Sequence, residues 1–134
     1  MRKVGFYKSV VSSPSGLFPV IVCLCGSTKF GKAFQEANLK ETLNNKIVLS
    51  VGSFVHDDET FAALSPDEQA ATKRRLDELH LRKLDLCDEA LFLNVGDYLG
   101  ESSMRELIYA RQANKKVRFL EWPSQWALEG EEAA

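Results

Sequence analysis

Glu106 closes the stretch NVGDYLGESSMRE (94–106), and its chemistry depends on what precedes it. That stretch holds two glycines, two serines and three acids, the composition of a loop running into a helix. Two readings fit Glu106. Ser103-x-x-Glu106 has capping-box spacing, so the carboxylate could simply close a helix start. Alternatively, it projects from the helix's first turn into a cleft. There a carboxylate can attack an electrophilic sugar carbon, while Gly100, Ser102, Ser103 and neighbouring N–H groups hold other oxygens.

A second stretch, VCLCGSTKF (22–30), ends an apolar run on Gly26 and then supplies Ser27, Thr28 and Lys29. A glycine there admits close approach of a ligand, and free N–H groups at a following helix start favour an anion. The stretch suits a phosphate or a sugar hydroxyl, and Lys29 favours a 5'-phosphorylated molecule. It is neither G-x-x-x-x-G-K-[ST] nor G-x-G-x-x-G. The competing reading is a glycine turn with Ser27 or Thr28 as N-cap and Lys29 in solvent. A third stretch, LDELHLRKLDLCDEA (76–90), carries Asp77, His80 and Asp85. Asp77 and His80 share a helix face. His80 either reaches a cleft as an acid or sits on a charged outer face. His56, Asp57 and Asp58 with His80 match no metal-ligand spacing, and no metal or cofactor is expected. The Lys73-Arg74-Arg75 run reads as a solvated face. Met104 and Trp122 read as packing residues.

These stretches need elements to hold them. VIVCLC (20–25) is a strand covered on both faces, and a helix follows from Phe30 to about Asn44. KIVLSVG (46–52) is a second strand, leading into a polar loop. Ser65-Pro66-Asp67-Glu68 is a helix start, with Ser as N-cap, Pro first and Glu three residues after the cap, and the helix runs to about Leu86. EALFLNV (89–95) is a third strand, residues 103–114 a helix, and KVRFLEW (116–122) a fourth strand. Strands alternating with helices imply parallel pairing through right-handed crossovers. The expected fold is α/β, a three-layer sandwich with a four- to five-stranded, mainly parallel sheet. Its ligand would lie beyond the carboxyl ends of the strands, near the switch in strand order. One domain covers residues 1–134, with its core at about 20–122 and an acidic, loose tail at 123–134.

At 134 residues, 45% hydrophobic and 27% charged, the composition is that of a globular domain. A formal charge of −2 gives no basic surface for a nucleic-acid polymer. No stretch approaches the length of a membrane span. The three cysteines read as buried thiols in a reducing, cytoplasmic compartment, with Cys23 and Cys25 on opposite faces of a strand.

The order of CGSTKF, IVLSVGSFVHDD and HLRKLDLCDEALFLNVGDYLGESSMRELIYARQANKKVRFLE resembles the nucleoside 2-deoxyribosyltransferase-like superfamily, over residues 20 to 121. It is also similar to the 2'-deoxynucleoside 5'-phosphate N-hydrolases. The resemblance implies a flavodoxin-like sheet and cleavage of an N-glycosidic bond in a nucleotide or nucleoside, the sugar passing to water or another base. It makes Glu106 the nucleophile and places Gly26, Ser27 and Lys29 against the sugar or phosphate. An aspartate that orients the sugar or protonates the base falls at or beside His80, with Asp77 and Asp85 each about a turn away. The resemblance implies a homodimer or larger assembly whose neighbouring subunit completes the pocket. The same architecture also hosts nucleotide sensors that bind without cleaving.

Overall fold

β1 (Ile21–Cys25) is buried at every residue, and its alternation sends side chains into two separate cores. The computed structural model describes residues 18–51 and 58–134. Ile21, Cys23 and Cys25 face one core and Val22 and Leu24 the other. Cys23 and Cys25 therefore share a face, contrary to the expectation from sequence. A strand's side chains alternate with period two, so residues two apart point the same way.

α1 (Gly31–Leu43) covers the second face with Phe34 and Ala37, and β2 (Ile47–Leu49) follows it. α2 (Glu59–Ala62) and α3 (Pro66–Leu86) come next, then β3 (Glu89–Phe92). A short 3-10 turn at Val95–Asp97 leads to α4 (Glu101–Gln112) and β4 (Lys116–Phe119). Leu84 of α3 and Leu107 and Ala110 of α4 close the first face. The outcome is a three-layer α/β sandwich. β5 (Glu132–Ala133) completes a five-stranded, all-parallel sheet of order β2-β1-β3-β4-β5, the flavodoxin-like arrangement. The order reverses between β1 and β3, which is where such sheets leave a crevice. Among the described residues no helix is long and apolar enough to cross a membrane.

Ser65 caps α3 as its spacing predicts. Its hydroxyl accepts from Glu68 N at 3.2 Å, and the Glu68 carboxylate accepts from Ser65 N at 3.1 Å. Replacing one side of this reciprocal pair frees a helix-end donor. Ser65→Ala is expected to lower stability by about 1 kcal/mol in urea unfolding, with Ser65→Asp near wild type.

Two segments differ from the expectation. α2 lies in what reads as a polar loop, where Asp58 caps it by accepting from Thr60 N at 2.7 Å and Phe61 N at 3.1 Å. The acidic tail is ordered, not loose. Arg111 donates to Glu131 at 2.7 Å and to Trp126 O at 2.6 Å, Ser124 donates to Asp97 at 2.6 Å, and Trp126 packs on the core. These partners are distant in sequence, so local composition does not reveal them.

Candidate active site at the strand switch

A cavity of about 370 Å³ opens at the carboxyl end of β1, between α3 and the start of α4. Gly26, Ser27 and Thr28 form one wall, Gly100, Ser102 and Ser103 another, and Phe61 of α2 a third. Gly26 has φ +154°, and a Cβ there would stand 3.2 Å from Leu93 O and 3.3 Å from Leu93 Cβ. The glycine is thus required by the neighbouring chain after β3, which bonds back through Leu93 N to Cys25 O at 2.7 Å. Neither Ser27 nor Thr28 caps α1, whose N-cap is Phe30 without a side-chain bond. Both hydroxyl residues line the cavity instead. Lys29 is not among the lining residues; its Nζ lies 4.1 Å from the centre of the Tyr98 ring.

Glu106 lines the cavity with only 9% of its surface exposed. The capping-box reading fails because α4 begins three residues earlier than the spacing suggests. Gly100 is the N-cap and no side chain caps the helix, so Ser103 is its third residue and is itself buried. Among the described residues, none hydrogen-bonds the Glu106 carboxylate. Burial pushes its pKa up from 4.5 to about 7; His80 draws it down, and Cys23 and Asp77 push it up.

His80 is buried, not on an outer face, and also lines the cavity. Its Nε2 lies 3.4 Å from Cys25 Sγ and 3.6 Å from Cys23 Sγ. Burial disfavours the imidazolium, but the Cys23 hydrogen bond and the charges of Cys23 and Glu106 outweigh it and raise the His80 pKa. Cys25 is pushed well up by burial. Cys23 is drawn down to about 6, first by its hydrogen bond with Cys25, then by His80, against its burial. The thiols did not stand out as site residues in the sequence. Period two applied to Cys23-x-Cys25 would have put both on one face.

Asp77 lines the cavity between two cations, Lys73 and Arg105, each at 3.5 Å. Lys73 Nζ and Arg105 Nη2 also donate to Ser102 Oγ, at 3.2 and 3.3 Å. Lys73 therefore belongs to the cavity wall while staying exposed, and Arg74 and Arg75 stay exposed on the solvated face. Asp85 is outside the cavity, where it accepts from Tyr109 Oη at 2.6 Å and pairs with Arg82 at 3.3 Å. His56 and Asp57 lie outside the described residues. Cys23, Cys25 and His80 hold donor atoms within 4.8 Å of one another, a trio able to hold a metal.

Fold and site together define a flavodoxin-like α/β domain with a buried carboxylate in a cavity at its strand switch. No protein-family model matches this chain, and a comparison with curated proteins finds no match.

Proposed function

We propose that the protein cleaves the N-glycosidic bond of a nucleoside 5'-monophosphate or nucleoside through Glu106, passing the sugar to water or another base. The observation that carries this reading is Glu106 itself: a buried carboxylate in a ligand-sized cavity, with no hydrogen-bond partner among the described residues. A side chain so placed raises the energy of its own anion, and that is useful if a developing cation relieves it. Departure of a base builds oxocarbenium character at C1'. As the C1'–N bond breaks, Glu106 forms a bond to C1' and the base leaves with a proton from His80 or Asp77. Water or a second base then attacks C1' and restores the carboxylate. The uncapped amino end of α4, with Lys73 and Arg105 beside it, suits a 5'-phosphate. In this reading those cations take the place expected of Lys29. The superfamily resemblance supports the same chemistry, and we extend it to a homodimer or larger assembly.

Incubation with a panel of nucleoside monophosphates and deoxynucleosides, followed by chromatography, is expected to show free base. Folded protein at high concentration releasing no base from any member would overturn the enzymatic reading. The pH dependence gives a second check. The nucleophile is the anion, and Glu106 ionises at about 7. kcat/KM should therefore rise with pH through about 7 and fall again where the donor to the base loses its proton. A rate flat from pH 5 to pH 8, by roughly the same assay, would exclude a carboxyl so placed as the attacking group.

One observation favours a second reading, a nucleotide sensor that binds without cleaving. His80 Nε2 faces two thiols rather than open cavity, and Asp77 is held by Lys73 and Arg105. A leaving base would then lack a ready proton donor. Thermal stabilisation by a nucleotide, with no turnover, would favour this reading.

A further inference from the structure

Two thiols and an imidazole meet inside the first core; the glycosidic chemistry uses neither thiol, and with an ion on His80 the leaving base takes its proton from Asp77. Cys23 and Cys25 are fully buried on one face of β1, and His80 reaches them from α3. We propose that Cys23, Cys25 and His80 form a binding site for a thiophilic divalent cation, with zinc the natural occupant, held by the two Sγ atoms and Nε2.

The distances fit the ion. With Zn–S near 2.3 Å and Zn–N near 2.1 Å, the S-to-N edge of a tetrahedron is about 3.6 Å. The observed separations are 3.4 and 3.6 Å, and all three donors lie within 4.8 Å of one another. Both S-to-N edges match, and the S-to-S separation, at most 4.8 Å, compares with about 3.8 Å in a zinc tetrahedron. The donor set selects among ions, since thiolate and imidazole suit zinc and not the oxygen-seeking magnesium or calcium. Charge balance also suits the place. Two thiolates offset a dication and His80 binds as neutral imidazole, so the complex places no net charge in the core. Loading releases protons, because the ion takes both sulfurs as thiolates and His80 as neutral imidazole. Three protein donors leave one tetrahedral position. Of the three, His80 is the one that lines the cavity, so the ion enters from that side and its fourth donor is water or a cavity ligand. Cys87 is buried in the same core but is not one of the trio, which makes it the internal control.

The test needs no substrate. The full chain, reduced and stripped by a chelator, is titrated anaerobically with cobalt(II). A thiolate-to-cobalt charge-transfer band should appear with tetrahedral visible bands, saturate at one ion per chain, and bleach on adding zinc. Zinc, and not magnesium, should raise the melting temperature. Cys23→Ser and Cys25→Ser should each weaken binding by at least about a hundredfold, the upper end of the loss seen when a merely supporting residue is removed. Cys87→Ser should bind as wild type. If the serine variants do not fold, zinc on the wild-type chain should protect Cys23 and Cys25 from alkylation, read by mass spectrometry. A folded wild-type chain with no thiolate band, or with both thiols unprotected by zinc, reduces the trio to a hydrogen-bonded cluster. A band that survives in both serine variants, or vanishes in Cys87→Ser, overturns the assignment equally.

Discussion

Glu106→Gln is expected to lose turnover by at least about a hundredfold, and to unfold at higher urea than the wild type at pH 8. The loss follows from removing the attacking oxygen while keeping the shape. A hundredfold is about 3 kcal/mol of transition-state stabilisation. The stability gain follows from the same burial. In the folded chain the carboxyl titrates at about 7 against an ordinary 4.5. A folded pKa raised above the unfolded one gives stability that is fully present below about 4.5 and lost as pH rises through about 7. At pH 8 the wild type therefore bears an ionised, poorly solvated carboxylate. At about 1.4 kcal/mol per pH unit the gap amounts to about 3 kcal/mol, an upper figure because the cavity admits solvent. Glutamine is neutral throughout, so the variant's advantage should be roughly 1–3 kcal/mol at pH 8 and fade towards pH 4.5. Two assays separate the claims. Wild-type turnover in the variant would return Glu106 to a structural role. An advantage independent of pH would show that ionisation of a buried carboxyl is not its source.

The strands were legible in sequence because a parallel sheet covered on both faces needs unbroken apolar runs, and Ile21–Cys25 and Glu89–Phe92 lie within them. α3 was legible for a different reason, since Ser65, Pro66 and Glu68 act on each other within one turn. What failed was set by contacts across the chain. β5 is two residues long and owes its place to β4 and to Arg111, and nothing in GEEAA announces a strand. Ser103 and Glu106 have capping-box spacing, but Gly100 starts the helix, so the local rule named the wrong cap. Gly26 pointed to the right place for the wrong reason. It was read as room for a ligand, and Leu93 fills that space. Lys29 looked like the anion-binding cation because it is adjacent in sequence. The cations at the cavity are Lys73, Lys83 and Arg105, brought there by the packing of α3 against α4.

Arg118→Ala is expected to cost roughly 3–5 kcal/mol, the range for breaking a buried ion pair by deleting one partner. Arg118 is the third residue of β4, with 7% of its surface exposed, and its side chain reaches back to Glu89 at the start of β3. Its Nη1 donates to Glu41 Oε1 at 2.6 Å and to Glu89 Oε1 at 3.3 Å, and Nη2 to Glu41 Oε2 at 3.3 Å. Lys46 reaches the same carboxylates, Glu89 at 3.1 Å and Glu41 at 3.5 Å. Without Arg118, Lys46 would face two buried carboxylates, and Glu41, with 1% exposed, cannot turn to water. Burial alone would raise the Glu41 carboxyl, but the bonds and charge of Arg118 hold it below 4.5. A depressed folded pKa gives stability present above 4.5 and lost as pH falls through the folded value. The Arg118 penalty should accordingly shrink in acid, as the Glu106→Gln advantage does, each because a buried carboxyl becomes neutral. None of Arg118, Glu41 and Glu89 lines the cavity, so turnover per folded molecule should be unchanged. The double variant Arg118→Met with Glu41→Leu removes both charges and should recover most of the loss, because a buried pair replaced by apolar groups is often neutral or better. Urea unfolding of the three proteins at pH 7 decides it. A single variant within about 1 kcal/mol of wild type, or a double variant no better than the single, would show that unpaired buried charge is not what Arg118 prevents.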